Sequence, residues 1–95
     1  MAAYLLADVK VTDPVLYDQY RQGVRATIEK FGGRFLVRGG KHEMLEGEGE
    51  PNRTVVLEFP TMEALKTWYH SADYAPLIEL RQRAATARLF AVEGA

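Results

Sequence analysis

Residues 3–11, AYLLADVKV, place Leu5, Ala7, Val9 and Val11 on one side of an extended chain and Tyr4, Leu6, Asp8 and Lys10 on the other. This period of two predicts a strand. After Thr12 the period changes. Leu16, Tyr20, Val24, Ile28 and Phe31 recur at helical spacing and draw an apolar stripe, the mark of a helix with one face on a core. Asp13 is suited to cap the first free amides and Pro14 to occupy the first helical position. Gly32-Gly33 predicts the end, because glycine accepts the left-handed conformation that closes helices.

Residues 34–38 predict a second strand, with an extension through Met44 and Leu45 after a break at Gly39-Gly40. EGEGEPN, residues 46–52, reads as a solvated loop. Residues 53–59, RTVVLEF, predict a third strand. Pro60-Thr61 stops it and opens a helix to about His70, with Thr61 as cap and Glu63 in the first turn. A kink at Ser71-Ala72-Asp73 precedes a further helix, with Pro76 near its start and its end near Thr86, and residues 87–93 predict a last strand. The order is βαββαβ: an α+β, ferredoxin-like fold with a four-stranded antiparallel sheet and a single domain over 1–95.

In such a fold both helical segments cover one face of the sheet. Leu5, Ala7, Val9, Phe35, Val37, Val55, Leu57, Phe59, Leu89 and Ala91 are assigned to that face. The opposite face receives Tyr4, Leu6, Leu36, Val56, Phe90 and Val92, and with them Asp8, Lys10, Arg38 and Glu58. A solvated sheet face is normally mostly polar, so this pattern predicts a homodimer packed sheet on sheet. Arg38 and Glu58 are expected to meet across paired strands, either as an ion pair of the interface or as a polar patch facing a ligand.

Composition narrows the classes. The chain has 95 residues, 47% hydrophobic and 26% charged, with a net charge of −1, as in ordinary globular domains. No basic excess is available to neutralise phosphates, so nucleic acid is not an expected partner. The absence of cysteine excludes disulfides, thiolate catalysis and thiolate metal sites. MAAYLLADVK lacks a basic n-region and a long apolar run, and no stretch reaches the roughly 20 apolar residues of a membrane span. A cytoplasmic protein with no membrane partner is expected.

The densest chemistry lies in WYHSADYAP, residues 68–76. Trp68 and Tyr74 are suited either to a core or to a pocket wall, and His70 is a candidate proton-transfer group. Arg81 lies seven residues after Tyr74, close to two helical turns, so both can share a face. Ser71 lies in no G-x-S-x-G setting. His42 and His70 have no H-x-x-x-H spacing, so no metal is expected, and no cofactor is indicated. Two functions remain. In the first, a small-molecule enzyme or binding protein has its pocket between sheet and helices. Arg38, Trp68, Tyr74 and Arg81 bind the ligand there, and Glu58, His70 or Asp8 handles protons. In the second, a non-catalytic dimeric module uses its charges to fix the interface.

The blocks AAYLLADVKVTDPVLYDQY, GGRFLVRGG, LEG, RTVVLEFPTMEALKTWYHSADYAPLIELR and VEG together span nearly the whole chain. In this combination the sequence resembles the domain of unknown function 1330 family. The resemblance implies ferredoxin-like protomers paired as a dimeric α+β barrel, and lends no established activity. Wider relatives of that fold include cofactor-independent monooxygenases, isomerases, decyclases and haem-dependent enzymes, a fold-level analogy only.

Overall fold

The computed structural model describes residues 1–95. The first alternating run forms β1 (Ala3–Val11), with Ala3, Leu5, Ala7 and Val9 buried and the intervening residues more open. The period-two pattern thus sets which face meets the core. The chain then enters α1 (Pro14–Lys30), where the Asp13 carboxylate accepts the Leu16 amide at 3.2 Å and Pro14 opens the helix. The expected stripe is inward at Tyr20, Val24 and Ile28, and Tyr17 joins it as a further buried residue. Gly32 closes the helix with φ of +83°, a conformation in which a side chain would be strained.

Two strands follow, β2 (Arg34–Arg38) and β3 (Arg53–Phe59). The expected extension of β2 to Met44 and Leu45 does not form: residues 39–52 contain no strand, and Leu45 is 88% exposed. With two glycines before it and the acidic loop after it, this segment has no partner strand to join. Next come α2 (Met62–Tyr69), capped by the Thr61 hydroxyl on the Ala64 amide at 3.0 Å, and α3 (Ala75–Ala84). The last strand, β4 (Ala85–Glu93), starts two residues before its predicted position. Alanine and threonine suit helix and strand alike at Ala84–Ala87, and pairing decides the boundary: Val11 and Lys10 lie opposite Ala85 and Thr86.

The sheet order is β2-β3-β1-β4 and every pairing is antiparallel. This is the ferredoxin-like α+β fold. The core fills the space between the sheet and its helices, with Trp68, Tyr74, Phe59 and Ile28 almost wholly excluded from solvent.

One irregularity changes the assignment of faces. β2 and β3 pair as Arg34 with Glu58 and Phe35 with Leu57, but the next pairs are Val37 with Val56 and Arg38 with Val55. Leu36 is therefore an extra residue, a β-bulge. One inserted residue reverses the facing of everything after it. Val37, expected on the helix side, lies on the outer face beside Val56. Arg38, expected on the outer face with Glu58, lies on the helix side beside Val55.

Candidate functional site

The predicted Arg38–Glu58 contact does not occur. Glu58 instead lies opposite Arg34 in the β2–β3 register, and its carboxylate accepts from that guanidinium at 2.8 Å. The Arg34 hydrogen bond, followed by one from the Tyr4 hydroxyl, holds the Glu58 carboxyl below the usual glutamate range. Tyr4 in turn is pushed up by donating to Glu58. This Arg34–Glu58–Tyr4 cluster belongs to the outer face of the sheet. Asp8 is on that face too, in the register between Thr54 and Arg88, and accepts the Asn52 amide at 2.7 Å. His70 is the exposed residue that ends α2, beside Tyr69. The three candidate proton-transfer residues are thus spread over the outer face and a helix end, and none reaches the interior.

The four candidate ligand-binding residues are brought together. Arg38, Trp68, Tyr74 and Arg81 line one cavity between α1 and the helix-side face of the sheet. Its volume is about 40 Å³, room for about three water molecules. Leu5, Ala7 and Leu57 floor it from the sheet, and Val24 and Ile28 cover it from α1. The residues that carry chemistry fall into two groups around this apolar middle.

Tyr20, Tyr74 and Arg81 form the first group. The turn between α2 and α3 aims Tyr74 inward: the Ser71 hydroxyl donates to the Trp68 carbonyl at 2.7 Å and accepts the Tyr74 amide at 3.2 Å. The Tyr74 ring stacks on Trp68 with centroids 4.1 Å apart, and its hydroxyl lies 2.7 Å from that of Tyr20. One hydroxyl hydrogen is used between the two phenols, and the other can meet a ligand oxygen. Burial pushes both phenols above their ordinary value, so both stay protonated. Arg81 is 5% exposed, and its Nε is buried with no hydrogen-bond partner. Burial disfavours its charge, but the neighbouring tyrosine oxygens, Tyr74 first, outweigh this and hold its pKa above the ordinary arginine value.

The second group is Arg21, Arg38, Arg53 and Tyr17. Arg38 lies over the Phe35 ring at 4.5 Å, and its Nη2 is 3.4 Å from the Arg21 carbonyl. Arg53 lies 5.8 Å from the Tyr17 centroid, and its Nε is buried without a partner. The ion pairs of the molecule are Lys30–Asp73, Arg34–Glu58 and His42–Glu50. None involves a cavity arginine, and no carboxylate lines the cavity. No group of three or more histidine, aspartate or glutamate side chains is placed to hold a metal. No helix is long and apolar enough to cross a membrane.

Sequence reasoning missed Tyr17, Tyr20, Arg21 and Arg53 as cavity residues. The signal for Arg53 was present: alternation from Leu57 through Val55 carries it to the helix side, opposite inward-facing Val9. Arg21 follows Tyr17 by four residues and precedes Val24 by three, on the stripe that was already identified.

Residues 2–95 match the model of a family described as Domain of unknown function (DUF1330). Among solved structures, the chain is similar to a protein of unknown function from Rhodopseudomonas palustris. The TM-score is 0.77 at 20% identity, over 99% of this chain and 82% of that one. It is also similar to SnoaB, a cofactor-independent oxygenase from Streptomyces nogalater, with a TM-score of 0.68 at 12% identity over 99% and 93% of the two chains. HapK from Hahella chejuensis gives 0.64 at 18% identity, over 98% and 92%. At these identities the likeness is one of fold. No curated protein matches the sequence.

Proposed function

The chain belongs to the domain of unknown function 1330 family, and from that premise we propose that its cavity binds a small carboxylate-bearing molecule with an apolar body. Arg81 carries the reading: a cation almost wholly buried, with no carboxylate within the cavity to balance it. An unpaired buried charge is costly, and natural proteins pair such groups. An anionic ligand supplies the missing charge. Around it, Trp68 and Tyr74 form the wall, and Arg81 and the free phenolic hydrogen orient the oxygen. The fold shared with a cofactor-independent oxygenase is compatible with chemistry on such a ligand. The three proton-transfer candidates lie outside the cavity, so any proton handling falls to Tyr20 and Tyr74.

Trp68 is the only tryptophan of the chain and lines the cavity, so it reports occupancy. Titration with a panel of small aliphatic and aromatic carboxylic acids is expected to give a saturable change in its emission for at least one acid. Glu58→Gln, altered on the other face of the sheet, is expected to respond as the parent does. Silence across the panel overturns the reading.

The partner proposed for the outer face is a second copy of the chain. Leu36, Val37, Phe90 and Val92 are exposed there by between 38% and 58%. Each large apolar side chain transferred from water contributes about 1.5–3 kcal/mol, and closing the two sheets on each other covers all of them. Sedimentation at micromolar concentration is expected to give twice the chain mass. A monomer under those conditions refutes the assignment.

A further inference from the structure

The β-bulge at Leu36 gives the cavity a second cationic end. Without the extra residue, alternation from inward-facing Phe35 would carry Arg38 to the outer face; with it, Arg38 lies beside Val55 on the helix side. There it joins Arg53, which register places opposite inward-facing Val9, and Arg21, which α1 presents to the same space. Gly39, at a φ of +68° that disfavours any side chain, follows directly, and the Arg53 guanidinium lies against it. Burial, then the charges of Arg21, Arg25 and Arg53, holds Arg38 below the ordinary arginine value, a sign that these cations repel one another. Apolar residues line the cavity along with both groups.

We propose that the arginines at Arg21, Arg38 and Arg53 form a second anion subsite, so that the ligand is a compact acid with two anionic groups, one at Arg81 and one at Arg38–Arg53. The proposal rests on the carboxylate reading above and sharpens it. Like charges converging on a space without a carboxylate are relieved by an anion, and guanidinium groups favour the planar, two-oxygen geometry of a carboxylate. The enclosed space of about 40 Å³ holds only part of a short-chain dicarboxylate, and the exposed Arg21 end leaves its second anionic group room at the mouth of the cavity. The bulge and the half-buried Arg53 are then parts of one specificity device.

The test compares malonate, succinate and glutarate with the matched monoacids propionate and butyrate. It uses the parent, Arg38→Met and Arg53→Met, with binding read by calorimetry and by Trp68 emission. At least one diacid is expected to bind the parent about tenfold or more tightly than its monoacid. Arg38→Met is expected to remove that advantage and leave monoacid affinity within about twofold; Arg53→Met, the second variant should the first not fold, is expected to do the same. Equal affinity for diacids and monoacids overturns the second subsite and leaves the carboxylate reading standing. So does an equal loss of both in Arg38→Met. Failure of every acid to bind overturns both.

Discussion

Arg81→Met is expected to weaken ligand binding about 10- to 100-fold and to leave stability within about 1 kcal/mol of the parent. Both effects come from one circumstance. The guanidinium is 5% exposed, its Nε has no hydrogen-bond partner, and no carboxylate lines the surrounding cavity. The folded state therefore bears a desolvation cost, which the neighbouring tyrosine oxygens, Tyr74 first, outweigh. Replacing the guanidinium by an apolar group removes the desolvation cost and the tyrosine contacts together, so the two changes largely cancel. Methionine is long and flexible enough to occupy the same volume. For a chain of this size, a change within about 1 kcal/mol keeps Tm within about 8 °C of the parent's. The variant should also lose the charge-assisted bond to the ligand, about 10- to 100-fold in affinity. A carboxylic acid that raises the parent's Tm by mass action should then raise the variant's Tm less at the same concentration. Arg81→Lys separates charge from geometry: it keeps the cation, so Tm should stay near that of the parent while affinity falls. A large loss of stability in Arg81→Met, with binding intact, would show Arg81 to be a structural group and would remove the main support for an anionic ligand.

The contrast between Arg81 and Arg38 shows how far the sequence can be read. Arg81 is placed by helical spacing from Tyr74, and the cavity is where that spacing points. The strand β1, the Asp13 and Thr61 caps and the order of elements follow from periods and capping residues in the same way. Alternation places Arg38 on the wrong face because it assumes that no residue is inserted. Leu36 and Val37 are both apolar and both end exposed, so hydrophobicity alone does not locate a bulge. Only the pairing with β3, a long-range contact, shows that Leu36 is the extra residue. The expected ion pair fails for a separate reason: Arg34, before the bulge, occupies the position opposite Glu58, and Arg38 lies four residues further along β2 in either register. Proton-transfer chemistry was legible only as residue types. Asp8, Glu58 and His70 are chemically suited to it, but parity and helix phase turn all three away from the cavity, and the interior is left to phenols.

Trp68→Ala is expected to be the most destabilising single substitution on the cavity wall. Trp68 is wholly buried. Its ring stacks on Tyr74 at 4.1 Å and lies 5.3 Å from Phe59, and its indole N–H donates to the Thr27 hydroxyl at 3.0 Å. It therefore ties α2 to the sheet, to α1 and to the turn that aims Tyr74. Truncating a buried tryptophan to alanine costs about 3–5 kcal/mol, a large part of the 5–15 kcal/mol that ordinarily separates folded from unfolded chains. Urea denaturation followed by far-ultraviolet circular dichroism, which does not depend on the lost fluorophore, measures the change. Trp68→Phe should cost less, because it keeps an aromatic face for Tyr74 and gives up the bond to Thr27. A cost below about 1 kcal/mol for Trp68→Ala would mean that the surroundings collapse readily into the space. In that case the cavity could not hold Tyr74 and Arg81 at a fixed separation for a ligand. Selective binding in this cavity thus depends on the same rigidity that the denaturation experiment measures.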